Sequence, residues 1–234
     1  ELSQDYYNQA ISRAKNNPAL SYSIAIKFED YNLIDEAIYM YKFAIEKTQN
    51  SSYEYRLANL YAQKKDVKNM FISYLNYAEF NSSYFNQTLQ IIGQYINDDE
   101  SSYYNLILKK IVLRKLQNSQ NIFWNQILSW LYNKQKNYKK SLLQQKAIYK
   151  RDQSSLQPII NIGLLSKKAK DYETTASAFN FIIEISQETS LILNAKLQLL
   201  SLDILLKNKE NTKIKSDYLE LLNYYGLNDK TLDL

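Results

Sequence analysis

A block of helix-forming sequence recurs along this chain every 33 or 34 residues, and that period constrains the fold more than any other feature. Over 18–50 the block carries Ile24, Ala25 and Phe28, then Ile34, Ala37, Tyr41 and Ala44. Thirty-three residues on, the same positions hold Leu57, Ala58, Tyr61, Val67, Met70, Tyr74 and Tyr77. Later come Leu128, Ser129, Tyr132, Tyr138, Ser141, Gln145 and Ile148, and 34 residues after those Ile162, Gly163, Ser166, Tyr172, Thr175, Phe179 and Ile182. Two amphipathic runs around a short polar turn read as a helix hairpin. Ala25 and Ala37 let its helices approach closely while Phe28 and Tyr41 fill the space beside them. One hairpin alone leaves an apolar face that its neighbour must cover, so the expected class is an all-α solenoid.

Composition closes off most other functions. Three Gly and two Pro in 234 residues leave little for hairpin turns or phosphate-cradling loops, which argues against all-β and Rossmann-like folds. Zero Cys and zero His exclude disulfides, thiol nucleophiles, imidazole bases and nearly every zinc or haem site. No cofactor, no metal site and no enzymatic activity are therefore expected. Asp98, Asp99 and Glu100 are adjacent acids, but they stand where a helix start uses carboxylates against its dipole. An α/α-barrel glycosidase, the all-helical enzyme with paired carboxylates, needs a longer chain and loops that are absent here. The net charge of +5 is a mild excess and does not by itself imply nucleic acid. No apolar run approaches a membrane span; the richest, 197–206, is broken by Gln198, Ser201 and Asp203. The chain reads as soluble, its compartment unknown, with a slight lean to an exported or periplasmic location because it begins at Glu1 rather than Met.

The repeat resembles the tetratricopeptide repeat (TPR). The fragment from Asn32 to Lys47 matches that family's second helix, and the fragment from Lys136 to Leu142 is similar to the turn that opens it. Met70 and Thr175 stand where the family prefers Ala. The resemblance implies a right-handed superhelix with 1–17 as an N-terminal helix (half-repeat or cap), 18–225 as six hairpins, and 226–234 as a tail that starts a further repeat. The units over 85–118 and 189–225 are degenerate and follow from the period alone. Start and stop signals fit: Pro18 and Pro158 near first-helix N-termini, Ser51 with Glu54 as a capping box, Asp171 as an N-cap, and Gly226 with Leu227 as a Schellman-type end.

In such a hairpin one shoulder of the first helix points into the hollow of the superhelix. Those positions hold Tyr22, Ile26, Tyr55, Asn59, Gln90, Gln94, Gln126, Trp130, Ile160 and Leu164. Aromatics beside carboxamides suit an extended peptide or a helix of a partner protein. The expected function is a non-enzymatic protein-interaction scaffold. A TPR subclass that clamps a C-terminal carboxylate has Lys and Asn where this chain has Tyr22 and Ile26. Only Arg56 and Asn59 could contribute to such a clamp, and that activity is not carried over. Tyr41, Tyr61, Tyr74, Tyr132 and Tyr138 occupy core positions, with Tyr22 and Tyr55 as the exceptions. Lys134, Lys136, Lys139, Lys140, Lys167 and Lys168 form a basic edge. That edge supports a second reading as a binder of RNA or an acidic polymer, although nucleic acid is not the expected partner. A third reading is a structural homo-oligomer, since self-association is open to a groove of this kind.

Overall fold

A computed structural model describes residues 2–119, 121–207 and 210–226, and all regular structure among them is helical. The helices are α1 (Leu2–Asn16), α2 (Ser21–Asp30), α3 (Ile34–Thr48), α4 (Glu54–Gln63), α5 (Val67–Phe80), α6 (Phe85–Gly93), α7 (Tyr103–Asn118), α8 (Ile122–Lys134), α9 (Tyr138–Asp152), α10 (Gln157–Lys168), α11 (Tyr172–Ile185), α12 (Thr189–Leu206) and α13 (Asn211–Tyr225). The chain divides into two compact units, Glu1–Arg114 and Lys115–Leu234. Within each unit, antiparallel helix pairs stack in chain order as an all-α solenoid.

Four hairpins share one turn. The first helix ends in a left-handed residue, Asn32, Lys65, Lys136 or Lys170, with φ between 56° and 63°. The N–H that follows reaches back to the helix: Leu33 to the Phe28 carbonyl (2.8 Å), Asp66 to Tyr61 (2.9 Å), Asn137 to Tyr132 (2.8 Å) and Asp171 to Ser166 (2.9 Å). This six-to-one bond is the Schellman closure, made here without glycine. The same residue then starts the second helix. Asp66, Asn137 and Asp171 accept the backbone N–H of Asn69, Lys140 and Thr174, whereas Leu33 offers no side-chain cap.

Small residues sit where the paired helices touch. Ala25, Ala37 and Ala58 are fully buried. In the second unit hydroxyls replace methyls, and Ser129 bonds Ser141 (2.8 Å) while Ser166 bonds Thr175 (3.0 Å), so close approach leaves those oxygens satisfied. A Cβ on Gly163 would lie 3.0 Å from the Phe179 ring. In unit 1, α1 joins the first hairpin through buried Ala14 and an edge-to-face contact of Tyr7 on Phe28 (5.8 Å). In unit 2 the core runs through Leu142, Ile159, Ile162, Phe179 and Ile182 to Ala195. A further cluster, Leu193, Leu197, Leu200 and Leu221, joins α12 to α13.

Three expectations change. The cap at the start of the second hairpin is Asn50, whose side chain accepts the Ser52 N–H (3.0 Å) ahead of a 3-10 turn over Ser51–Tyr53. Ser51 and Glu54 therefore form no capping box. Glu54 is buried instead and accepts from the Asn76 amide (2.9 Å). Gly226 does end α13, but at φ 72° and ψ 173° it is outside the left-handed helical well that a Schellman cap uses. Leu227 and the tail to Leu234 lie outside the described residues. Finally, α12 is by length and composition apolar enough to cross a membrane, because the helix begins well before 197. It packs on its neighbours through Leu193, Ala195, Leu197, Leu200 and Leu202.

Candidate partner-binding surface

The positions expected to face the hollow in unit 1 lie on α2, α4 and α6, with Gln94 directly after α6. Tyr22 is half-buried, with its ring stacked on Tyr53 (4.3 Å, 16° between planes) and tilted against Tyr41 (6.0 Å). One repeat later Tyr55 meets Tyr74 edge-on (6.0 Å) and Tyr77 at 5.5 Å, and Tyr77 meets Tyr84 (4.6 Å). Each first-helix tyrosine thus leans on a second-helix tyrosine 19 residues further along the chain. Ile26 is half-buried against the same core, and Gln90 and Gln94 are exposed.

Hydrogen bonds fix the polar ends. The Tyr41 hydroxyl donates to Glu29 Oε2 (2.7 Å), and Arg56 pairs with that carboxylate (3.3 Å), tying α2, α3 and α4 together. Arg56 is therefore already engaged by an acid of this chain. In the next hairpin Tyr74 donates to Asn59 Oδ1 (2.6 Å). Burial, followed by the neighbouring Glu29, raises Tyr41 well above the ordinary phenol range. Burial, then the hydrogen bond with Tyr84, pushes Tyr77 up to about 12. Tyr41, Tyr74 and Tyr132 are buried, while Tyr61 and Tyr138 are half-buried.

Unit 2 places Gln126 and Trp130 on α8 and Ile160 and Leu164 on α10. Gln126 and Trp130 are half-buried, and the Lys134 ammonium lies 5.9 Å from the Trp130 ring centroid. Ile160 packs on the core, and Leu164 is exposed.

Much of the basic edge joins one hairpin to the next. Lys139 pairs with Glu173 (2.8 Å), which raises its pKa. Lys140 stands over the Tyr132 ring (5.6 Å). Lys167 donates to Gln198 (2.9 Å) and to Ser201, and burial lowers its pKa. Lys146 donates to the Ser177 carbonyl and hydroxyl, and is lowered for the same reason. Lys134, Lys136 and Lys168 are exposed. Asp99 accepts both the N–H and the hydroxyl of Ser101 in the turn before α7, which lowers its pKa. Among the described residues no group of acids is placed to hold a metal ion.

Sequence reasoning overlooked Tyr53 and Tyr84, whose rings complete the aromatic contacts of Tyr22 and of the pair Tyr55 and Tyr77. A signal was present: Asn-Ser-Ser-Tyr occurs at both 50–53 and 81–84.

No known protein family matches the chain, and no curated protein matches it. Among solved structures it is similar to the crystal structure of YrrB, described as a TPR protein with an unusual peptide-binding site. The identity is 17% over 81% of this chain and 97% of that one, with a TM-score of 0.37.

Proposed function

We propose that this chain is a TPR-like protein-interaction scaffold that binds a peptide or helix of a partner along its first-helix faces. The observation that carries this reading is the repeated placement of Tyr22 and Tyr55, one period apart, each half-buried with part of its ring against a second-helix tyrosine. Rings held in this way offer contact area at low entropic cost, and the carboxamides of Asn59, Gln90, Gln94 and Gln126 offer partners for a peptide backbone. Trp130 extends the same chemistry to unit 2, where large aromatics commonly anchor interfaces. The engagement of Lys139 and Lys167 with groups of this chain weighs against the basic edge as a polymer-binding site.

The test is selection of displayed peptides on the full chain, followed by titration of the selected peptides in a salt series. The Tyr22→Ala/Trp130→Ala double variant, shown folded by circular dichroism, should weaken them roughly tenfold or more. Peptides indifferent to that variant, or RNA binding that falls steeply with salt, would overturn the reading.

A further inference from the structure

Unit 2 holds an open cavity of about 410 Å3 between the loop over 153–156 and the loop over 186–188, which lead into α10 and α12. That volume falls within the ~300–1,000 Å3 range of small-ligand sites. Its apolar wall is Tyr149, Leu156, Ile160 and Leu191, and the exposed carboxamides of Gln153 and Gln187 also line it.

The repeat register explains why space is left there. Gly163 corresponds to Ala58, so Ile160 takes the place of Tyr55. Thr175 corresponds to Met70, so Ile182 takes the place of Tyr77. The loop capped by Ser186, which accepts the Glu188 N–H, corresponds to the loop capped by Asn81, which accepts the Ser83 N–H, so Thr189 takes the place of Tyr84. In unit 1 those three places form a packed cluster of phenol rings at 5.5 and 4.6 Å. In unit 2 two isoleucines and a threonine replace them, and of the three Ile160 lines the cavity while Ile182 is buried in the core beside it.

From this we infer that the cavity is a subsite for one phenol ring, the tyrosine side chain of a bound partner peptide, which supplies what unit 1 builds from its own sequence. The ring would lie against Ile160, Leu191 and Tyr149, with its hydroxyl within the reach of the Gln153 and Gln187 amides. The charged group lining the cavity is Glu188, which also accepts the Ser190 hydroxyl. A carboxylate there repels anions, so the subsite takes tyrosine and rejects its phosphorylated form. This inference rests on the peptide-scaffold reading and adds a side-chain identity to it.

The experiment titrates N-acetyl-tyrosinamide into the full isotope-labelled chain and follows the methyl resonances of Leu156, Ile160 and Leu191. Saturable shifts in the millimolar range are expected, the order for a fragment of this size. The phosphorylated ligand should bind at least about tenfold more weakly. Ile160→Tyr/Thr189→Tyr restores two of the three unit 1 rings, one of them at a position that lines the cavity, and should abolish the shifts. Thr189→Tyr alone changes an exposed position at the start of α12, and should weaken them should the double variant not fold. Shifts that fail to saturate, that persist in a folded filled variant, or that are as large for the phosphorylated ligand overturn the inference. Selected peptides that need Tyr22 and Trp130 but ignore the filled cavity would overturn the subsite and leave the scaffold reading standing. Tyrosinamide binding without any peptide binding would overturn the scaffold reading and, with it, the assignment of the ring to a partner peptide.

Discussion

Replacing Lys65 and Lys170 by glycine should stabilise this protein, and the magnitude follows from the turn geometry. Both residues sit at positive φ, 56° and 63°, at the same register position of two hairpins, and both are exposed. A left-handed conformation costs an L-residue roughly 1–2 kcal/mol. Glycine escapes that cost but loses about 0.5–1 kcal/mol more conformational entropy on folding. The difference is a gain of about 0.5–1 kcal/mol per site, or about 1–2 kcal/mol for the pair. For a chain of this length that is a rise in Tm of roughly 2–8 °C. The control is Lys168→Gly, two residues earlier at the last helical position of α10, which should instead cost about 0.5–1 kcal/mol. Thermal and urea unfolding followed by circular dichroism reads all three variants. The reasoning fails if the double variant melts lower than the parent, or if Lys65→Gly and Lys168→Gly move Tm in the same direction.

Gly163→Ala places a methyl 3.0 Å from the buried Phe179 ring. Overpacking of about 1–3 kcal/mol should exceed the ~1 kcal/mol gain in helix propensity. In a Phe179→Leu background the same change should become neutral or stabilising, and a double-mutant cycle without coupling would refute the contact. Of the two tryptophans on α8, Trp124 is fully buried and Trp130 is not. Trp124→Ala should cost about 3–5 kcal/mol and Trp130→Ala less than half of that, so equal losses in urea unfolding would place Trp130 in the core. Alkaline pH should weaken unit 1. Tyr77 is raised to about 12 in the folded state against ~10 when unfolded, so its stabilising contribution is complete below about 10 and is lost as pH rises through 12. Tyr41 and Tyr74 are raised as well and act in the same direction. Tyrosinate absorbance should show a late-titrating group that Tyr77→Phe diminishes, and a single midpoint near 10 for every tyrosine would contradict this.

The periodic part of the architecture was legible because its cause is local. Ala25, Ala37 and Ala58 recur at a fixed spacing and are buried where helices touch, and Asp171 caps the helix that it precedes. The turns were less legible. Glycine is the usual mark of a left-handed residue, and this chain uses Asn32, Lys65, Lys136 and Lys170 instead, which read as ordinary solvated positions. The capping box expected at Ser51 does not form because Asn50, which resembles any polar loop residue, takes the Ser52 N–H at the start of a 3-10 turn. At the candidate surface helical spacing groups the residues, but it does not report their side-chain partners. The stack of Tyr22 on Tyr53 joins the first helix of one hairpin to the entry of the next, and no pattern internal to a single repeat reports it.

Under the proposed peptide-binding reading, those partners bear on how the surface would work. Tyr22 and Tyr55 present part of each ring and pack the rest, and Asn59 presents an amide whose oxygen is already held by Tyr74. Side chains fixed by their neighbours lose less rotamer freedom when a peptide arrives, so the affinity gained per contact is higher than for a free surface residue. The same engagement makes each residue part of a joint between helices: Tyr74 with Asn59 links α5 to α4, and Tyr41, Glu29 and Arg56 link three helices. Because stability in a stacked repeat is shared between nearest neighbours, a ligand seated on these residues reinforces the joint that holds them. Peptide binding to unit 1 should therefore raise the opening free energy of α2 to α5, which hydrogen exchange reads amide by amide. Protection confined to the directly contacted side chains' own helix would show that the joints do not transmit it.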